Sequence, residues 1–323
     1  MLAGIDTTRL RVFREVARQG SFTAAALALQ VSQPAVSQHV ARLEQELGCT
    51  LLERSSRRVR PTPAGEAFLR RVETLLTELS EASRELAVLA NSDRGLLRLA
   101  VFPSAAATFV PAAVGVLRVK YPQVTFRLID ADPPQALPLL LAGDVDLAVC
   151  YDYPTVAAQP DPRLCTTALA VDRMAVAVPA ESPRALDGSP VELSTLAAEP
   201  WIVPGPSQCR SALDEACRRA GFRPDIVSET NDYQAMLGLV EAGIGLAVVP
   251  RIAAAFARAV RLLPLTGTRL TRVVGVAARA GGARTPAMEF MQATLAETLS
   301  ELLAAASFGT AGEVPVSDDR ARP

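Results

Sequence analysis

SFTAAALALQVSQPAVSQHVARLEQELGCTLLERSSRRVRPTPAG, residues 21–65, decides how this chain is read. Ser21 precedes Phe22 and the run Thr23–Leu29, which carries Ala24, Ala25, Leu27 and Leu29 without a strong breaker, so a short helix capped by Ser21 or Thr23 is predicted. Gln30-Val31-Ser32 breaks it. Ser32 and Pro34 then stand together at the opening of a further helix, from about Gln33 to Leu47, where serine caps well and proline costs little. Ala35, Val36, Val40, Leu43 and Leu47 supply its buried stripe, leaving Gln33, Ser37, Gln38 and Arg42 to face outward. Upstream, Leu10, Phe13, Val16 and Ala17 recur at helical spacing between Asp6 and about Arg18, and Gly20 stops that helix. Short helices joined by a tight turn, the last presenting small polar side chains, meet the needs of a major-groove reader.

Arg54, Arg57, Arg58 and Arg60 crowd into seven residues before Pro61. Directly after a helix-turn-helix pattern, this reads as a two-stranded wing whose arginines reach a nucleic-acid backbone or minor groove, against the plainer reading of a soluble arginine-rich turn. Residues 1–65 hold nine arginines against five acids, whereas the whole chain has 33 basic and 34 acidic residues, so positive charge is concentrated at one end. The lone histidine, His39, has no second histidine or matched cysteine near it and reads as a surface or half-buried residue rather than a metal ligand.

These segments resemble the LysR-type transcriptional regulators. The resemblance is carried by SFTAAA, by SQPAVSQHVARLEQELG, and by Arg54, Arg57 and Thr62-Pro63-Ala64-Gly65. It implies a winged helix-turn-helix over 1–65 in which Gln33, Pro34, Ser37 and Gln38 approach bases and Arg42, Arg54, Arg57 and Arg58 lie on or near phosphates. The chain departs from the family pattern at Leu52, where phenylalanine is favoured, and at Pro61, where leucine is usual.

A helix-forming run follows from Pro63 to about Ala90. Phe68, Val72, Leu75, Leu79, Ala82, Leu86 and Leu89 alternate spacings of four and three, the heptad period of a packed seam. Either the helix folds back onto its own module or it pairs with a second subunit; two half-sites bound together favour pairing. The resemblance points the same way, to a linker helix over 66–91 that makes a homodimer, with a dimer of dimers left open.

Asn91-Ser92-Asp93-Arg94-Gly95 is a polar hinge. Beyond it, strands are predicted at Leu96–Phe102, Val124–Ile129, Val145–Val149, Met174–Val178, Pro200–Val203, Ile226–Ser228, Leu246–Val249 and Thr271–Ala277. Helices are predicted at Ala106–Tyr121, Pro133–Leu141, Arg210–Ala220, Tyr233–Ala242 and Pro286–Leu303. That alternation argues for α/β architecture with a mainly parallel sheet. YPQVTFRLIDADPPQALPLLLAGDVDLAV and NDYQAMLGLVEAGIGLAVVP resemble the family's effector domain. The resemblance implies a two-lobed, periplasmic-binding-protein-like fold over 92–305, lobe I being 92–165 with 267–305 and lobe II 166–266, and a frayed tail over 306–323.

In such folds ligands favour strand ends near helix starts, where free peptide N–H groups attract negative charge. Three places qualify: Ser104 and Ala105, Ser207 and Gln208, and Asn231 and Asp232. Together they suit a small organic effector, although Ser207 and Asp232 are equally read as plain helix caps. Asp130, at the end of the second strand, would repel an anion or accept an amine, so the effector's charge stays open. The expectation is a ligand-responsive regulator of double-stranded operator DNA, with RNA polymerase an open further partner and no cofactor.

Other classes fit less well. The five cysteines, Cys49, Cys150, Cys165, Cys209 and Cys217, include no CxxC pair, which argues against structural zinc and for a reduced compartment. A thiol-based redox sensor of the same architecture remains an alternative on Cys209 and Cys217, but these lie ~12 Å apart along one predicted helix and a disulfide needs α-carbons within ~7 Å. No GxSxG, HExxH or GxxxxGK motif marks an enzyme, and a solute-binding protein would leave the first 90 residues unexplained. The absence of an apolar leader or a membrane-length apolar stretch leads us to expect a cytoplasmic protein.

Overall fold

The computed structural model describes residues 6–54, 58–89, 95–156, 161–257, 259–268 and 270–305. The chain divides into two compact units, one built from four helices and a small hairpin, the other from the strands and helices that follow residue 93.

In the first unit, α1 (Thr7–Gln19) starts at Asp6, whose carboxylate accepts from the Thr8 N–H at 2.8 Å, and stops at Gly20 in the left-handed region. Ser21, not Thr23, caps α2 (Phe22–Leu29), and Ser32 caps α3 (Gln33–Leu47), each through its hydroxyl. Phe13, Val16, Ala25, Val36, Val40 and Leu43 are buried together; Ala35 and Leu47 are half-buried at the edge of that core. At ~1.5–3 kcal/mol per large apolar side chain, this small core is what holds the three helices at fixed angles. The hairpin pairs β1 (Leu52–Arg54) with β2 (Val59–Pro61), Leu52 opposite Pro61. Glu44 fastens α3 to it, its carboxylate accepting from the Leu51 and Leu52 N–H groups at 2.7 and 3.1 Å.

The Thr62-Pro63-Ala64-Gly65 motif acquires a physical reason where α4 (Pro63–Leu89) begins. The Thr62 hydroxyl accepts from the Gly65 N–H at 2.9 Å and donates to the Thr50 carbonyl at 2.8 Å, joining the helix start to the strand. A β-carbon on Gly65 would overlap the Leu51 carbonyl oxygen, so only glycine permits the approach.

The single heptad seam expected along α4 is corrected by the structure, which shows two stripes. Phe68, Val72 and Leu76, four residues apart, pack on the first unit's own core, with the Phe68 and Phe13 ring centroids 5.7 Å apart. Leu75, Leu79, Ala82 and Leu86 stay exposed, the three leucines at 54, 48 and 66%. With Leu69 packed there as well, residues 68, 69, 72 and 76 combine spacings of three and four into the broad stripe of a helix lying on a globular module, so Phe68 and Val72 face their own core and Leu76, absent from the seam, joins them. The Leu89 side chain lies outside the described residues.

The second unit runs β3 (Gly95–Val101), α5 (Pro103–Ala106), α6 (Val110–Lys120), β4 (Val124–Asp130), α7 (Pro133–Leu141) and β5 (Leu147–Asp152). A long β6 (Leu164–Pro179) leads to α8 (Pro183–Asp187), β7 (Val191–Glu192), β8 (Pro200–Val203), α9 (Gln208–Arg219), β9 (Asp225–Glu229), α10 (Tyr233–Glu241), β10 (Leu246–Pro250), β11 (Val260–Thr266), β12 (Thr271–Arg279) and α11 (Pro286–Ala305). β4, β3 and β5 are parallel, as are β10, β8 and β9; these are the two lobes' cores. β12 and β6 join them in antiparallel fashion, giving the order β4-β3-β5-β12-β6-β10-β8-β9 with β11 also on β6.

Three expectations are corrected here. The sheet is mixed rather than mainly parallel, because the strands passing between lobes run against their neighbours. The first passage lies not near 165 but inside β6: residues 164–173 pair with β12 of the first lobe, and from Met174 onward the same strand pairs with β10 and β11 of the second. The predicted strand began only at Met174 because the preceding half is largely exposed and carries Asp172 and Arg173, which interrupt its apolar pattern. β11 was passed over, and the helix expected at Ala106–Tyr121 begins only at Val110 as α6, with the separate short α5 ahead of it.

Candidate functional site

Two sites are built, one in each unit. On α3, Gln33, Pro34, Gln38 and Arg42 are exposed and Ser37 is half-buried; Pro34, Gln38 and Arg42 lie on the side away from Val36, Val40 and Leu43, and Gln33 is exposed at the helix start. The helix thus offers a polar face over its first three turns, with its N-terminal amides at the same end. His39 is half-buried between that face and the core. Arg58 and Arg60 are exposed on the hairpin, Arg60 being an arginine outside the predicted contact set. Arg57 and the Arg54 side chain lie outside the described residues, although the Arg54 backbone pairs with Val59.

In the second unit a cavity of about 480 Å³ opens between the lobes. Four predicted ligand residues line it: Ser104 from lobe I and Ser207, Asn231 and Asp232 from lobe II. Ser207 caps α9, its hydroxyl accepting from the Arg210 N–H, and Asp232 caps α10, accepting from the Gln234 and Ala235 N–H groups at 2.8 and 3.3 Å. The capping and the ligand readings of these residues are therefore compatible, since the same caps bring both helix starts to the cavity. Ala105, Asp130 and Gln208 are not on its wall: Ala105 is buried in the lobe I core, Asp130 is exposed at the end of β4, and Gln208 is half-buried on α9.

The cavity's aromatic and ionic lining was not anticipated. Phe102, Tyr151 and Phe256 give it flat apolar walls, and Tyr233 and Cys209 add a phenol and a thiol 3.7 Å apart. Arg272, 1% exposed, reaches the wall from β12. Its guanidinium carbon lies 5.2 Å from the ring centroids of both Phe102 and Tyr151, and its Nε donates to Asp172 Oδ2 at 3.0 Å. Burial alone would discharge Arg272, but Asp172 together with the nearby Tyr233, Tyr153 and Cys209 outweighs it and keeps the group firmly protonated. The Tyr151 hydroxyl donates to Asp132 Oδ1 at 3.3 Å; desolvation raises the Asp132 carboxyl above the ordinary range, with that hydrogen bond opposing. One signal could have found Arg272. In TRVVGVAAR, alternation puts it on the face of Val274, so an arginine was destined for burial and needed a partner.

Cys209 is at the cavity and buried, while Cys217, on the same unbroken α9, is buried in the lobe II core with its thiol pushed up to about 12 by desolvation. Among the described residues no His/Cys/Asp/Glu group is arranged to hold a metal ion, and no helix is long and apolar enough to cross a membrane.

A polar-faced helix beside an arginine-bearing hairpin, followed by a two-lobed domain with a lined interlobe cavity, defines a DNA-binding regulator with a small-molecule domain. Residues 7–66 match the family described as bacterial regulatory helix-turn-helix protein, lysR family, and residues 90–300 match the LysR substrate binding domain. The chain is 32% identical to the HTH-type transcriptional regulator AlsR of Bacillus subtilis (strain 168), over 76% of this chain and 80% of that one. It is 28% identical to the uncharacterized HTH-type transcriptional regulator YybE of the same organism, over 92% and 100%. A full-length OxyR variant from Pseudomonas aeruginosa shares the fold with a TM-score of 0.68 at 23% identity, over 90% of this chain and 94% of that one. The chain belongs to the LysR family of DNA-binding transcriptional regulators.

Proposed function

We propose that the protein acts as a homodimer that reads a partly palindromic operator through α3 and is switched by a small organic effector held between the lobes. Gln33, Pro34, Ser37 and Gln38 read base edges, and Arg42, Arg54, Arg57 and Arg58 hold phosphates, so the first set sets the preferred sequence and the second the salt-dependent affinity. The exposed stripe Leu75, Leu79, Ala82 and Leu86 is the subunit seam: three leucines at about half exposure or more on one helix face are an apolar surface that a second copy of the same helix covers symmetrically. Family members work on operator DNA as oligomers, which supports the pairing. Effector binding alters lobe closure and with it the half-site spacing or DNA bend. Chemistry on a bound substrate has no support in the relatives, which are regulators.

The observation that carries this reading is the polar face of α3, left open by a core that uses every large apolar residue on its other side. Footprinting on promoter fragments selected by the full-length protein tests it. Two protected half-sites about one helical turn apart, contracting or changing bend on addition of effector, are expected. A single protected half-site, or footprints identical in extent and bend with and without effector, overturns the corresponding part.

A further inference from the structure

Each of the two helix starts that reach the cavity from lobe II brings a reactive group. Cys209 lies in the first turn of α9, Tyr233 opens α10, and both line the cavity with the thiol sulfur and the phenol oxygen 3.7 Å apart. Tyr153 shares the lobe II core with Cys209; it is wholly buried, and its hydroxyl has no hydrogen-bond partner. Burial first and the neighbouring Cys209 thiol second push its ionisation well above the ordinary phenol range, so this unused donor is directed at the same sulfur. A buried hydroxyl without an acceptor is costly, and a thiol that keeps its proton is a weak one. As Cys209 gives up its proton, Tyr153 gains the acceptor it lacks. The other cysteines have no such setting: Cys217 and Cys150 sit in apolar cores, each thiol pushed up to about 12 chiefly by desolvation, and Cys49 and Cys165 are exposed.

A nucleophilic thiol beside a phenol that can relay a proton, in a cavity walled by Phe102, Tyr151 and Phe256, suits addition to a flat conjugated carbonyl compound. We propose, building on the regulator reading above, that Cys209 is a covalent modification site for an electrophilic effector, an α,β-unsaturated ketone or aldehyde, with Tyr233 relaying the proton. The sulfur attacks the β-carbon. Its proton passes to the Tyr233 oxygen while the Tyr233 hydroxyl proton passes to the carbonyl oxygen of the effector. An S–C bond forms, the C=C electrons move into the enol, and Tyr233 ends as it began. The enol then returns to the carbonyl form as that proton moves to the α-carbon. No oxidant and no second thiol takes part, so the unbroken helix between Cys209 and Cys217 is no obstacle to this reaction, as it is to a disulfide.

The test uses the full-length protein with benzylideneacetone as the enone, benzylacetone as its saturated counterpart, and iodoacetamide as a thiol reagent that needs no carbonyl protonation. Peptide mass spectrometry locates and times each modification. Benzylideneacetone adds to Cys209 at least about 10-fold faster than to the exposed Cys49 and Cys165, reversing the order that exposure alone sets, because the cavity holds thiol and enone together. Benzylacetone modifies nothing. Tyr233→Phe lowers the enone rate at Cys209 roughly 100-fold, the lower end of what a positioned proton donor supplies, while the iodoacetamide rate there changes by no more than about 3-fold. Should that variant fail to fold, the order of addition in the unaltered protein decides. Faster addition at Cys49 or Cys165, no adduct at Cys209, or a folded Tyr233→Phe protein whose two rates change alike overturns the proposal. Operator binding measured before and after modification separates this from the regulator reading. A change in operator affinity that Cys209→Ser abolishes is expected; unchanged affinity in protein carrying the adduct removes Cys209 as the effector's acceptor and leaves the DNA-binding reading standing. No operator binding by the untreated protein brings down the regulator reading itself.

Discussion

The α3 face and the interlobe cavity are opposite solutions to building a site. Gln33, Pro34, Ser37, Gln38 and Arg42 fall within ten residues of one helix, and the rule that buries Val36, Val40 and Leu43 exposes them. The cavity draws Phe102, Tyr151, Ser207, Asp232 and Arg272 from five places spread over 170 residues, and brings them together only through the order and direction of strands. A face made by one helix survives most changes elsewhere. A site made by long-range strand pairing depends on the pair that fastens the crossing strands.

That difference predicts where the protein is most sensitive. Asp172→Asn should be the largest single loss, because it leaves Arg272 buried without its counter-charge, a cost of about 3–5 kcal/mol. In urea unfolding followed separately for the two units, the loss should fall on the second unit and spare the helical module. Equal destabilisation of both would mean that the two regions are not independent in the way their construction implies.

The two stripes of α4 sharpen the same contrast within one helix. Leu79→Asp should leave the module folded but weaken dimerisation at least ~100-fold, since two leucines per dimer each lose about 1.5–3 kcal/mol of burial. Analytical ultracentrifugation reads this directly, and an unchanged dissociation constant would remove the second half of α4 from the subunit seam. Gly65→Ala should do the reverse. By forcing a β-carbon against the Leu51 carbonyl it should cost the module about 1–3 kcal/mol while leaving the exposed stripe intact. A Gly65→Ala protein as stable as the parent would show that the start of α4 can shift away from β1 at little cost.

Legibility followed the same line. Helix caps at Ser21 and Ser32, the polar face of α3 and the helix starts at Ser207 and Asp232 were readable because each depends on residues a few positions apart. Phe68 and Val72 were misassigned because a four-and-three spacing fits both a coiled-coil seam and a helix packed on its own domain, and only the partner helix α1 separates the two. The first half of β6 was missed because its residues are largely exposed and its apolar side chains do not alternate with polar ones; its pairing with β12 holds it in place. Arg272 could be foreseen as buried from its strand, but its partner Asp172 lies a hundred residues away, and register across β6 and β12 is not written in either segment alone.

The most direct measurement of the central claim is selection of duplexes from a random pool by the full-length protein, repeated with Ser37→Ala, Gln33→Ala and Arg42→Ala. The account predicts enrichment of an interrupted palindrome. The first two variants should shift the preferred sequence, whereas Arg42→Ala keeps it but lowers affinity and the salt slope by about one. Selection that yields no palindrome, or one that the α3 substitutions leave unchanged, would contradict it.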